Sequence, residues 1–176
     1  MGFHIKVIKG DITKLNVECI VNAANNQLTE GSGVCGAIYE AAGWQHMKQA
    51  CNSIGYCETG DAVITPGFNL PAKHVIHAVG PVYKDGQHNE PDLLKSAYLQ
   101  SLRLAEDNTI TSIAFPLLST GMYHFPKLDA IKFAFEAIDD FKHETSGIIK
   151  DITICAYNDD DYTLINSVFM KRSVSS

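Results

Sequence analysis

The sequence has no block of lysine and arginine, no apolar run approaching the ~18 residues of a membrane-spanning helix, and no cysteine pair at C-x-x-C spacing. Each absence closes off a class of function. With 14 basic against 20 acidic residues the net charge is −6, so general binding to nucleic acid has no electrostatic footprint. A phosphate-bearing partner must then be held by backbone dipoles rather than by cationic side chains. The lack of an apolar span and of a signal-type h-region argues against a membrane partner and for a cytoplasmic protein. Five cysteines (Cys19, Cys35, Cys51, Cys57, Cys155) is an odd number, which suits reduced thiols, with Cys19 and Cys155 placed as small core residues. Cys51 and Cys57 with His46 fit no standard zinc spacing, and neither a metal nor a cofactor is expected. The one tryptophan, Trp44, is expected to pack between helices. Repeats, linkers and low-complexity segments are lacking too, which leaves a single domain over residues 1–172 and a frayed tail at 173–176.

What is present is an alternation of strand and helix patterns. Strand-like runs fall at Phe3–Ile8, Glu18–Val21, Ala62–Thr65, His74–Ala78, Ser112–Pro116 and Ile149–Ala156. Helix-like patterns fall at Val34–Ala42, Gln45–Ile54, Pro91–Asp107, Pro126–Lys142 and Asp160–Met170, two of them with proline in the first turn. Such alternation predicts an α/β domain with a largely parallel sheet covered on both faces. The third and fourth strands are joined only by a short Gly/Pro-rich connection, too short for a helical crossover, so that pair is expected to be antiparallel. The fold predicted is a three-layer α/β/α sandwich with a mixed, mostly parallel central sheet.

Within Val21–Gly43 the glycines Gly31, Gly33 and Gly36 spell G-x-G-x-x-G. A dinucleotide fingerprint turns directly from strand to helix, whereas here Asn22–Glu30 intervenes; this disfavours a nicotinamide-dependent oxidoreductase. The glycines instead belong to a wide loop whose backbone N–H groups open a helix. Ligands of open α/β sheets bind at the carboxyl ends of the strands, and four suspicious segments lie there: Gly10-Asp11-Ile12, Asn22–Gly33, Leu117–His124 and Tyr157-Asn158. Asp11 either caps a short turn or accepts from an exocyclic amine. Asn22 and Asn25 either brace loop backbone or bond sugar hydroxyls. Ser119-Thr120-Gly121 is either a plain loop or a diphosphate cradle, and Tyr157 either a half-buried core residue or a stacking surface for a base. His77, in an apolar strand, reads as a satisfied core group, and Asp159–Asp161 as a solvated helix start.

Taken together these segments resemble the macrodomain family, which binds ADP-ribose. The resemblance covers nearly the whole chain: Gly10–Thr13, Ile20–Asn25, Gly31–Val34, Gly36–Ile38, Ala41–Gly43, Thr59–Ala62, Leu70–Lys73, Val75–Pro81 and Ser119–Gly121. It is greatest to stand-alone macrodomains that include ADP-ribosyl hydrolases. It implies that Asp11 contacts the adenine amine, with a backbone contact from Ile12, while Tyr157 flanks the adenine and Asn158 lies near the proximal ribose. It further implies that Gly31, Ser32, Gly33 and Val34, with Ser119, Thr120, Gly121, Met122 and Tyr123, clamp the diphosphate. Asn25 then bonds the distal ribose, Tyr123 packs against that sugar, and Asn22, Asn25 and Tyr123 form the reacting end. The partner implied is ADP-ribose or an ADP-ribosylated protein, and the reaction is hydrolysis of a mono-ADP-ribosyl ester on Asp/Glu or of O-acetyl-ADP-ribose.

Two positions depart from that pattern. Many hydrolytic relatives carry G-G-G-G-V-D where this chain has Glu30-Gly31-Ser32-Gly33-Val34-Cys35, so a thiol stands in the place of an acidic residue often proposed to activate water. A thiol of ordinary pKa ~8.5 does not replace a carboxylate base at neutral pH. Loss of a general base costs ~10²–10⁴-fold rather than all catalysis, and a positioned water can still react. The alternative is therefore a non-catalytic binding module. His124 stands where relatives usually have glycine; it either turns into the cleft as a proton acceptor or lies on the outer face of its loop.

Overall fold

The computed structural model describes residues 2–175 of the chain. Six strands form one sheet: β1 (His4–Lys9), β2 (Cys19–Ala23), β3 (Ala62–Pro66), β4 (His74–Ala78), β5 (Ser112–Phe115) and β6 (Asp151–Ala156), in the order β1-β6-β5-β2-β4-β3. Every neighbouring pair is parallel except β3/β4, which is antiparallel as the short connection requires. The helices are α1 (Gly33–Ala42), α2 (Trp44–Ile54), α3 (Glu90–Asp107), α4 (Lys127–Glu144) and α5 (Asp159–Ser175). The last of these stays helical into the segment expected to fray, and Ser176 lies outside the described residues.

The period of two along each strand sorts side chains to the two faces. Cys19 and Val21 of β2 pack with Ile76, Phe115, Ile152 and Ile154 beneath α3, α4 and α5, where Phe135 and Phe141 are also buried. Ile20 joins Val75, Ile38, Met47 and Cys51 beneath α1 and α2. Each such large side chain contributes ~1.5–3 kcal/mol by leaving water, which outweighs the weak helix preference of β-branched and aromatic residues. Trp44 differs from expectation: it opens α2 against the Tyr39 ring at 5.4 Å and remains 43% exposed, on a helix pair's rim rather than between helices. Among the described residues no helix is long and apolar enough to cross a membrane.

Because β1, β6, β5, β2 and β4 run the same way, their carboxyl ends share one edge of the sheet. The loops leaving that edge are held from behind. Tyr98 of α3 receives Leu118 N–H on its hydroxyl at 2.9 Å, which fixes the chain as it leaves β5. The Glu90 carboxylate accepts N–H groups from Lys84, Asp85, Gly86 and His88, folding the segment before α3 around itself. Burial pushes the Glu90 pKa up, but the N–H groups of Lys84, Asp85 and His88 outweigh it and hold it down to about 2. From that segment Tyr83 N–H donates to the Tyr123 carbonyl at 2.8 Å, which steadies the loop after β5.

Candidate functional site

The edge opens into a cleft of about 690 Å³. Its lining brings together Asp11, Ile12, Asn25, Gly31, Ser32, Gly33, Val34, Ser119, Thr120, Gly121, Met122, Tyr123 and Tyr157. Asp11 caps its turn and also lines the cleft. Its Oδ1 accepts Thr13 N–H at 3.0 Å and the Thr13 hydroxyl at 2.6 Å, capping a short 3₁₀ turn at Ile12–Lys14. Both bonds end on one oxygen, so the second carboxylate oxygen is not used by them. The Thr13 hydroxyl also holds the Asp11 carboxyl below the usual carboxylate range, so it is an acceptor at neutral pH. Tyr157 stands on the rim, 87% exposed rather than half-buried.

Two loops face each other across the middle of the cleft. The first enters α1, where Ser32 holds the N-cap position and makes no side-chain cap bond. The opening N–H groups of a ten-residue helix are therefore free of a capping side chain. Gly36 lets the loop fold back on that helix, since a Cβ there would meet the Gly31 carbonyl oxygen at 2.7 Å. The second loop is closed on itself by Phe125 N–H to Ser119 O at 2.8 Å and His124 N–H to Gly121 O at 3.1 Å, with Ser119 left-handed at φ 67°. Ser119 Oγ is buried without a partner and sits over Gly80, where a Cβ would meet it at 2.1 Å. The loops touch through Ser32 Oγ, which donates to Met122 Sδ at 3.2 Å, although Met122 is 77% exposed. No lysine or arginine stands among the lining residues, and the carboxylates there are Asp11 and Asp161.

Two expected site residues, Asn22 and Asn158, lie outside the lining, and His124 takes the outer of the two positions open to it. Asn22 is 1% exposed and does not line the cleft. Strand alternation turns it with Ile20 toward α1, where Nδ2 lies 3.0 Å from His77 Nδ1 and 3.6 Å from Cys35 Sγ. Asn158 caps α5 instead, its Oδ1 accepting Asp161 N–H at 2.8 Å. His124 is exposed at φ 60° and outside the lining, so its ring does not turn inward. Asn25 lines the cleft but also braces its loop, bonding Thr29 through both ends of the amide.

Sequence reasoning missed Asp161 and Gly80, which both line the cleft. Asp161 pairs with Lys127 at 2.7 Å, joining the first turns of α5 and α4, so the acidic run Asp159–Asp161 is more than a solvated helix start. The signal available was its place one turn beyond Tyr157. Gly80 carried no signal beyond its membership of the run Val75–Pro81.

Cys35 is 5% exposed at the cleft floor. Burial pushes its pKa up, and the Asn22 amide offsets only part of this, so the thiol is protonated at neutral pH. A nucleophilic thiolate is therefore not formed at Cys35. Beneath it His77 is buried and neutral: burial lowers its pKa to about 4, and Nε2 lies 2.9 Å from Thr65 Oγ1. The zinc trio is not assembled, for His46 stacks on Phe68 at 5.4 Å while Cys51 Sγ lies 3.9 Å from His77. Among the described residues Asp85, His88 and Glu90 bring ligand atoms close together. Glu90 is already engaged by backbone N–H groups, and Asp85 Oδ1 accepts Gln87 N–H and lies 2.8 Å from His88 Nδ1.

The arrangement can hold a ligand with a base-like amine at one end, an anionic middle and a hydroxyl-bearing end near Asn25. A family model described as Macro domain matches residues 21–134. A protein of Escherichia fergusonii named O-acetyl-ADP-ribose deacetylase is 46% identical over 178 positions, covering 98% of each chain. The Oceanobacillus iheyensis macrodomain with ADP superposes with a TM-score of 0.90 at 33% identity, over 96% of this chain and 92% of that one. The Trypanosoma brucei macrodomain in complex with ADP-ribose superposes with a TM-score of 0.87 at 35% identity, over 94% of this chain and 69% of that one. By sequence and by fold, the chain belongs to the macro domain family.

Proposed function

We propose that the cleft binds ADP-ribose and that the protein hydrolyses mono-ADP-ribosyl esters, either on protein Asp/Glu or in O-acetyl-ADP-ribose. The observation that carries this is a cleft of about 690 Å³ flanked by two N–H-rich loops with no lysine or arginine in its lining. Backbone dipoles at a helix N-terminus favour a phosphate dianion without a counter-charge on the protein. Asp11 takes the adenine amine, Tyr157 covers the base, and Asn25 with Tyr123 receives the distal ribose. Support also comes from the relative named O-acetyl-ADP-ribose deacetylase and from the T. brucei complex with ADP-ribose.

Catalysis follows from position. A water held between the diphosphate and the distal ribose attacks at that ribose, a new carbon–oxygen bond to the water forms as the bond between the sugar and the ester oxygen breaks, and ADP-ribose and the free carboxylic acid leave. Such positioning can supply a large part of the barrier reduction without a strong base. Asn22 and the buried His77 act from below, keeping the α1 side of the cleft in register through Cys35.

One observation favours a second reading, a module that binds without turnover: the protonated, buried Cys35 offers no base where hydrolytic relatives carry an acid. Incubation with a protein mono-ADP-ribosylated on Asp/Glu, and with O-acetyl-ADP-ribose, separates the two. Loss of label and release of acetate are expected. Saturable ADP-ribose binding without either would establish the non-catalytic module.

A further inference from the structure

Asn25 lines the cleft with its amide already engaged. Nδ2 donates to Thr29 Oγ1 at 2.9 Å and, at a longer 3.4 Å, toward the Thr29 carbonyl, while Oδ1 accepts Thr29 N–H at 3.1 Å. Thr29 thus offers acceptors to the amide nitrogen and a donor to the amide oxygen. A flipped amide would set N–H against N–H and oxygen against the carbonyl, so its orientation is fixed. The turn that brings Thr29 back over Asn25 is itself held. Leu28 N–H donates to Asn25 O at 3.1 Å, and Leu28 is left-handed at φ 58°. Burial of its side chain and Tyr39 O–H donating to its carbonyl at 2.8 Å hold it there. The Thr29 carbonyl also receives the Cys35 S–H at 3.8 Å, so one residue reaches both side chains at this end of the cleft.

From this we infer that Thr29 is a positioning residue for sugar recognition. By taking up the nitrogen of Asn25 it leaves the second lone pair of Asn25 Oδ1 as the group presented to the ligand. The subsite is then an acceptor for a ribose hydroxyl, ordered before the ligand arrives. An amide free to flip and to change rotamer would have to be ordered during binding, at a cost to affinity. The inference rests on the proposed ADP-ribose reading, with the distal ribose at Asn25.

ADP and ADP-ribose are the probes, since they share the adenosine diphosphate and differ in the distal ribose. Calorimetric affinities of both are compared for wild type, Thr29→Val, which is nearly isosteric but lacks Oγ1, and Thr29→Ser, which keeps it. Loss of one neutral hydrogen bond predicts ADP-ribose binding to Thr29→Val about threefold to tenfold weaker, with ADP affinity unchanged and Thr29→Ser close to wild type. Unchanged ADP-ribose affinity in Thr29→Val overturns the inference. So does equal weakening of both ligands, which marks a merely structural loop residue. Wild-type protein that binds ADP-ribose no tighter than ADP removes the sugar subsite itself. Wild-type protein that binds neither removes the functional reading beneath it.

Discussion

Cys35 and His77 lie on either side of the Asn22 amide, one at the cleft floor and one beneath it. Exchange of Cys35 for aspartate installs a carboxylate where the thiol is protonated, beside an amide that can orient it. General-base catalysis is worth about 10²–10⁴-fold, so Cys35→Asp is expected to raise kcat for ester hydrolysis by about 10²-fold or more, with ADP-ribose affinity little changed. Steady-state turnover of a mono-ADP-ribosyl ester checks this, and an unchanged kcat would show that the position has no part in activating water. His77 makes a prediction on stability. Its folded pKa, about 4, lies below the ordinary value of 6.5, so the unfolded chain binds the extra proton between them. Stability from keeping His77 neutral is full above about pH 6.5 and is lost as pH falls through about 4, amounting to about 3 kcal/mol at most. Urea unfolding across that range is expected to show the decline, and His77→Gln, which cannot titrate, to flatten part of it. At this scale the sequence was only half legible. Asp11, Asn25 and the two glycine loops could be placed because they follow strand ends. Asn22 and Asn158 could not, because which face a strand residue takes, and which residue caps a helix, depend on partners distant in the chain. Thr29 carried no signal at all, since its role exists only once the turn at Leu28 has closed.

At the scale of elements, the loop into α1 decides whether the cleft exists. A Cβ at position 36 would meet the Gly31 carbonyl at 2.7 Å, and a backbone oxygen cannot rotate away as a side chain would. Gly36→Ala gains about 1 kcal/mol of helix propensity, but overpacking costs about 1–3 kcal/mol, so the clash wins or balances. The expected outcome is a shifted loop, with ADP-ribose affinity reduced about tenfold or more while the thermal midpoint moves little, read by titration and melting together. Retained affinity would mean that the loop and helix can separate without consequence. The elements themselves were read well. Alternating strand and helix patterns placed the six strands and five α-helices of the described residues, and the short Gly/Pro-rich link foretold the antiparallel β3/β4 pair. Helix ends were less legible, as with α5, which runs on to Ser175 past the Met170 expected for its end.

For the molecule as a whole, the central claim is that an acidic protein of net charge −6 holds a diphosphate with backbone dipoles alone. Fixed dipoles at short range are screened little by salt, whereas a site built on exposed cationic side chains loses affinity steeply as salt rises. The charge count and the lack of a basic block require this of any phosphate-bearing ligand, and no lysine or arginine lines the cleft. The most direct test is a calorimetric titration with ADP-ribose at low and at high salt. One saturating site whose affinity changes by about twofold or less is the predicted result. An absence of saturation, or an affinity that collapses as salt is raised, would contradict it.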